Sequence, residues 1–147
     1  MRLTVLVAAV LAGSALSAVA QTTPLGLWKT ISDKDGSVTS EVRVVDNAGV
    51  FSGRIERTFR TDVKTDAKCD LCKDDRKDQP IIGLEIIRGL GKASGKDVWE
   101  GGTVIDPDNG TVYKLKMTPI DGGKKLEVRG FVGFSLFGRT QTWIRAQ

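Results

Sequence analysis

Residues 97–117, DVWEGGTVIDPDNGTVYKLKM, decide the fold of this chain. Two segments in which apolar and polar residues alternate flank the turn DPDNG at 106–110. Alternation with a period of two is typical of β-strands, and an Asn-Gly turn supplies the positive φ angles that a tight hairpin needs. The stretch therefore predicts a β-hairpin rather than a helix.

The same pattern extends along the chain in both directions. Turn sequences rich in Asp, Asn and Gly recur at 33–36, 46–49 and 119–123, and no segment after residue 20 shows a sustained helical period. The alternation predicts eight strands, at about 25–31, 37–45, 50–57, 81–88, 97–105, 111–117, 124–131 and 138–145.

Consecutive strands joined by short turns lie next to each other in space. The sequence therefore predicts an all-β chain that folds as an eight-stranded antiparallel up-and-down barrel, with an open two-sheet sandwich as the alternative. An eight-stranded barrel has an interior just wide enough for its own side chains or for one small ligand.

The first twenty residues, MRLTVLVAAVLAGSALSAVA, have the composition of a secretory signal peptide. Arg2 is the positive region, an apolar stretch follows, and Ala18-Val19-Ala20 is a typical cleavage site. We therefore expect a signal peptide at 1–20 and a single barrel domain at 21–147, periplasmic or secreted after cleavage near Ala20. No later apolar run is long enough to predict a membrane span.

The composition argues against several function classes. The chain has no His, which removes the commonest general base and metal ligand, and no nucleophile-and-base pattern is recognisable. With Arg2 removed, 21 basic and 18 acidic residues alternate along the strands, which gives no nucleic-acid footprint. We expect no catalytic residue, no metal site and no cofactor, and we interpret DPDNG as a turn rather than a calcium loop.

Cys69 and Cys72 lie within the long charged segment 58–80. In an exported protein, a Cys-x-x-Cys pair favours a local disulfide that pins the loop. A redox-active pair is the alternative, but the flanking sequence lacks the strand or helix start that would activate a thiol.

Alternation also assigns the faces of the strands. One face carries Tyr113, Leu115 and Met117, and the neighbouring strand is expected to add Trp99, Gly101, Thr103 and Ile105. Earlier strands add Val38, Ser40, Val42 and Val44, with Phe51, Gly53 and Ile55. Small residues on this face favour a cavity, although a filled core is the alternative.

These faces suggest a binding module for a small hydrophobic ligand. The residues predicted to contact it are Trp99, Tyr113 and Met117 inside the barrel, with Phe131, Phe134 and Phe137 lining or covering the mouth. The alternative is an envelope protein-interaction module with a filled barrel, whose working surface is the 58–80 loop. A redox or hydrolytic enzyme is disfavoured.

The two ends of the domain resemble the lipocalin-like barrels, or calycins. The resemblance is carried by Gly26-Leu27-Trp28 in the first strand and by Trp143-Ile144-Arg145 in the last. It implies that Gly26, Trp28 and Arg145 close one end of the barrel, with the Arg145 guanidinium stacked on the Trp28 indole.

A longer resemblance covers nearly the whole domain. The runs 80–84, 87–90, 99–110 and 126–145 are similar to the exported bacterial family known as domain of unknown function 2147. This resemblance implies export and a small β-barrel, and it brings no catalytic residues with it.

Overall fold

The computed structural model describes residues 22–134 and 136–146. The segment 1–20, with its expected cleavage site, lies outside them. The described residues form eight strands: β1 Gly26–Ile31, β2 Val38–Asn47, β3 Val50–Thr58, β4 Glu85–Lys92, β5 Trp99–Asp106, β6 Thr111–Ile120, β7 Lys125–Phe131 and β8 Gly138–Arg145. A 3₁₀ turn at Asp121–Gly123 connects β6 to β7.

Each strand pairs antiparallel with the next, and β8 pairs with β1 to close the barrel. The prediction of an all-β, eight-stranded antiparallel up-and-down barrel is confirmed, and the open sandwich is excluded. The loops β1–β2, β3–β4, β5–β6 and β7–β8 lie at one end, which we call the mouth. The opposite end, where β1 begins and β8 ends, is the closed end.

Strand β4 begins four residues later than the sequence pattern predicts. The expected strand was 81–88, but Gly83 takes φ 89° and the Leu84 amide donates to the Ile81 carbonyl, so this apolar run folds as a turn. The strand instead begins at Glu85 and runs through Gly89 and Gly91 to Lys92. A short apolar run does not by itself distinguish a strand from a packed turn.

A β-bulge in β5 changes the faces that alternation assigns to this strand. Gly101 takes φ 80°, and the register with β6 shifts between Trp99 and Gly102. Gly102 therefore faces inward, and Gly101, Thr103 and Ile105 do not. The inward assignment of those three residues was wrong because a bulge inserts one extra residue and reverses the alternation beyond it.

Arg145 and Trp28 seal the closed end. The guanidinium carbon of Arg145 lies 4.2 Å from the centroid of the buried Trp28 ring, and burial lowers the pKa of this guanidinium. Arg145 also donates hydrogen bonds to the carbonyls of Gly123, Leu25 and Thr23 at 2.6, 2.6 and 2.9 Å. One side chain thus ties the β6–β7 turn and the N-terminal segment to the last strand.

The β3–β4 loop folds against the outer wall of the barrel. Cys69 and Cys72 are joined by a disulfide, and both are buried. The turn that they form lies against Gly110 of the β5–β6 turn, where Leu71 approaches the glycine backbone. This loop explains why Ile105 is buried although its neighbour on the same outer face, Val112, is exposed.

We expect Arg145→Met to reduce the free energy of unfolding by about 3 kcal/mol or more, because three carbonyls lose a charged donor and the indole loses its cation. Urea unfolding followed by Trp fluorescence measures the change. Arg57→Met is the control, since Arg57 is exposed and its ion pair with Glu41 is long at 3.7 Å, so its loss should cost under about 1 kcal/mol. Equal losses in both variants would contradict the role given to Arg145.

Gly110→Ala should destabilise the protein far more than Gly36→Ala. The two glycines have nearly the same φ, 72° and 73°, so both variants carry the same backbone strain of about 1 kcal/mol. An added Cβ at Gly110 would overlap the Leu71 carbonyl, whereas at Gly36 it meets nothing within 4 Å. Urea midpoints compare the two variants, and similar midpoints would mean that the loop is not docked against this turn.

Candidate functional site

The barrel interior consists of two halves that differ in how tightly they are sealed. In the closed half, large side chains are buried to 2% exposure or less, and a T-shaped contact joins Phe51 and Trp99 at 5.9 Å between ring centroids. The sealed residues of this half are Trp28, Leu90, Trp99, Leu115, Met117 and Leu126. Such packing makes this half a structural core.

The mouth half is lined by inward-facing residues that remain partly exposed. Val104 and Tyr113 are directly paired across β5 and β6, and Gly130 lies beside them: a Cβ at Gly130 would stand 3.5 Å from the Cβ of Tyr113. Gln141 of β8 faces the same space. All four are half-buried, although they point toward the barrel axis. Solvent therefore reaches the interior from the mouth.

Hydroxyl groups line the other wall of the mouth half. Thr30 Oγ1 lies 2.6 Å from Thr39 Oγ1 and 2.7 Å from Ser40 Oγ, and Thr58 Oγ1 donates to the Thr39 carbonyl at 3.4 Å. Ser40 pairs with both Thr30 and Thr58 across the β1–β2–β3 sheet. The mouth half thus combines apolar surface with a small number of polar groups, which is the usual character of a small-molecule site.

Two indole nitrogens of the interior differ in their partners. Trp143 Nε1 donates to Gln141 Oε1 at 3.3 Å. Trp99 Nε1 is buried and has no hydrogen-bond partner among the described residues, a condition it shares with Thr23 Oγ1. Buried polar groups are normally paired, so the unpaired Trp99 donor is an exception within the sealed half. Sequence alternation placed Trp99 inside but gave no signal that its donor would lack a partner.

The residues predicted to bind ligand lie in four different places. Trp99 and Met117 are direct cross-strand partners within the sealed closed half, and Tyr113 lies in the mouth half. Phe131 is on the outer face beneath the Lys116 ammonium, with Nζ 5.9 Å from the ring centroid. Phe134 and Phe137 are exposed on the β7–β8 loop. The structure brings only the first three to one face, and ligand contact by all six remains a prediction.

A charged cleft of about 350 Å³ lies on the outer face of β1, β2 and β3. Arg43 and Glu56 form an ion pair at 2.7 Å within it, and the remaining lining residues are Leu27, Lys29, Glu41, Arg57 and Ala146. The sequence pattern did not predict this cleft, although the alternating charges at outward positions of β2 and β3 were a signal for it. Solvated ion pairs of this kind are ordinary barrel surface.

Arginines hold the β3–β4 loop to the barrel through paired carboxylates. The buried Arg76 binds Asp74 at 2.6 Å and donates to the Glu85 carbonyl at 3.1 Å. Arg88 bridges Asp75 and Glu85, and its pKa is raised chiefly by its hydrogen bond to Asp75. The hydrogen bond from Arg76 lowers the pKa of Asp74 to about 2.

The described residues contain no cluster of three or more His, Cys, Asp or Glu side chains arranged to hold a metal ion. No helix among these residues is long and apolar enough to cross a membrane.

The Asp74–Arg76 pair predicts a loss of stability in acid. Because folding lowers the pKa of Asp74 from its ordinary 3.8 to about 2, the pair stabilises the fold fully only above the ordinary value. This contribution should be lost as the pH falls from about 4 to 2. Thermal unfolding across that range should show a shallower acid decline for Asp74→Asn than for the wild type. An Asp66→Asn variant, also in the loop, controls for the lost charge, and identical acid profiles for Asp74→Asn and wild type would refute the pair's contribution.

Comparisons with known proteins agree with this architecture. The barrel is similar to the solved structure of protein HP1028 from the human pathogen Helicobacter pylori, which belongs to the lipocalin family, with a TM-score of 0.71 and 22% identity. The match covers 86% of this chain and 85% of that chain, and at this identity it shows a shared fold. No curated protein matches the chain. Residues 26–145 match the family model described as uncharacterized protein conserved in bacteria (DUF2147), and the chain therefore belongs to that family.

Proposed function

We propose that this chain is an exported binding protein, periplasmic or secreted after cleavage near Ala20, that holds one small and largely apolar ligand in its barrel. The observation that carries the proposal is the contrast between the two halves of the interior. The closed half is sealed by large side chains, whereas inward-facing Val104, Tyr113 and Gln141 in the mouth half stay accessible. These accessible inward positions are the part of the interior that a ligand from outside can reach.

The chemistry of the mouth half describes the ligand. Val104 and the ring of Tyr113 offer apolar contact, and Gln141 and the hydroxyls near Thr30 offer a few hydrogen bonds. Among the described residues, Arg139 at the rim is the charged side chain that faces this wall, and it is paired with Asp33. These groups favour a ligand with an apolar body and one or two polar atoms. The lipocalin-like fold of the neighbouring structure supports a binding role, since such barrels can hold one small ligand.

A second candidate function is binding of an envelope protein through the β3–β4 loop. It is favoured by apolar side chains that this loop and its flanks expose at Phe59, Leu71 and Ile82. The disulfide and the buried Arg76 hold the loop in one conformation, which lowers the entropic cost of binding a partner. This function does not require an accessible interior.

Filling the mouth half should abolish binding of an apolar probe. Gly130→Leu places a side chain beside Tyr113 and Val104, and Gly91→Leu adds the same side chain where a Cβ meets nothing within 4 Å, on the outer face paired with Glu100. We expect the fluorescence of N-phenyl-1-naphthylamine to rise when the probe is mixed with wild type or with Gly91→Leu. The affinity of Gly130→Leu for the probe should be at least about tenfold lower.

The urea midpoint of each variant confirms that it is folded. Equal probe affinity in all three proteins, or no probe binding by any of them, would contradict ligand binding in the mouth half. If the probe does not bind, and variants of Leu71 and Ile82 lose a partner that the wild type captures, the second candidate function replaces the first.

A further inference from the structure

The loop between β7 and β8 carries the most exposed apolar side chains among the described residues. Val132, Phe134, Leu136 and Phe137 have exposed fractions of 61, 77, 86 and 73%. We call these four residues the β7–β8 tip. Single exposed apolar residues are common, but four within six positions form a patch of the kind that marks an interaction site.

The tip is a formed turn attached to a rigid base. The Phe137 amide donates to the Phe134 carbonyl at 3.0 Å, and the Val132 amide donates to the Phe137 carbonyl at 3.3 Å. Below the turn, Gly138 packs so closely against Phe131 that a Cβ there would stand 2.7 Å from the Phe131 Cβ. The apolar side chains therefore project from the mouth end of the barrel instead of folding back into its core.

Cations surround the base of the tip. Lys114 lies with its Nζ 3.4 Å from the Gly133 carbonyl, and Lys116 lies over the ring of Phe131. Arg129 and Arg139 occupy the neighbouring strands β7 and β8. Two of these four cations are paired with carboxylates, Arg139 with Asp33 and Lys116 with Glu100 at 3.6 Å, and Glu127 also lies on β7. Four cations against these three carboxylates leave the base of the tip with a net positive charge.

From this arrangement we propose that the β7–β8 tip inserts into the surface of an anionic lipid bilayer. Apolar side chains at the extremity would enter the boundary between headgroups and acyl chains, and the set-back lysines and arginines would lie at the depth of the lipid phosphates. Lys and Arg side chains suit that position because their stems lie along apolar surface while their charges remain hydrated. A protein that bound this tip would usually do so in a groove, and the charges around the tip do not require a protein partner.

This orientation turns the barrel mouth toward the bilayer, because the tip and the mouth lie at the same end. The adjoining turns also carry acidic side chains: Asp108 is paired with Arg60 at 2.6 Å, whereas Asp35 stays a carboxylate that accepts hydrogen bonds from Ser37. The attraction to an anionic surface is therefore confined to the base of the tip. The bilayer proposal stands on the tip alone and does not depend on a ligand in the interior.

Vesicle cosedimentation of the protein purified after export tests the proposal. We expect association with phosphatidylcholine vesicles that contain phosphatidylglycerol, much weaker association with pure phosphatidylcholine, and release by added salt. Phe134→Ser combined with Leu136→Ser should lower the partition coefficient at least about tenfold. Lys114→Gln combined with Lys116→Gln should lower it several-fold.

Matched variants at the closed end control for hydrophobicity and charge. Val45→Ser with Val50→Ser removes two exposed apolar side chains from the β2–β3 hairpin, and Lys96→Gln with Lys125→Gln removes two exposed charges. Neither pair should change the partition coefficient. The substituted positions in the tip and the controls are exposed, except for the half-buried Lys116, so nearly unchanged urea midpoints are expected and confirm folding.

A fluorescence reporter gives an independent measurement of insertion. Phe134→Trp should show a blue-shifted emission on binding anionic vesicles, and Val50→Trp at the closed end should not. The three native Trp residues are buried and contribute a constant background to both measurements. The proposal is overturned if anionic vesicles do not bind the protein or if tip and control variants bind equally. It is also overturned if sedimentation shows a dimer that the tip variants dissociate.

Discussion

The contact between the Arg145 guanidinium and the Trp28 indole is the constraint on which the rest of the barrel depends. Within the described part of the chain, the seam between β1 and β8 contains two residue pairs, Trp28 with Arg145 and Lys29 with Ile144, whereas β7 and β8 share seven. A seam that short supplies few ladder hydrogen bonds, so the closure relies on the side chain that bridges it. Because Arg145 also satisfies the carbonyls of Thr23, Leu25 and Gly123, the same cation fixes the chain entry, the β6–β7 turn and the last strand.

Sealing one end leaves the other end free for function. Large side chains complete the core near Arg145, so the inward positions of the mouth half need not be filled for the fold to be stable. The longest loop and the apolar β7–β8 tip are both at that end, where short turns would have sufficed to connect strands. The disulfide between Cys69 and Cys72 and the buried Arg76 hold the long loop outside the barrel, beside the mouth, and not across it. The proposed ligand site and the proposed bilayer contact are therefore separated from the part of the molecule that provides stability.

Most of the fold could be predicted from the sequence because its strands alternate and its turns contain Gly and Asn at positions that require positive φ. Two strands departed from prediction for identifiable reasons. In β4 an apolar run was indistinguishable from a packed turn, and in β5 the bulge at Gly101 reversed the faces beyond it, so that Ile105 is buried from outside by the loop. Of the candidate site, Tyr113 was placed correctly on the inner face by alternation. The partnerless Trp99 donor depends on three-dimensional packing that no local pattern encodes.

Native mass spectrometry of the protein isolated from its own cell envelope tests whether the barrel holds a ligand, because it detects an occupant without assuming its identity. We expect a species heavier than the polypeptide by one defined small mass, retained by Gly91→Leu and absent from Gly130→Leu. Detection of the bare polypeptide mass alone in wild type, under conditions that preserve noncovalent complexes, would contradict a ligand held in the mouth half.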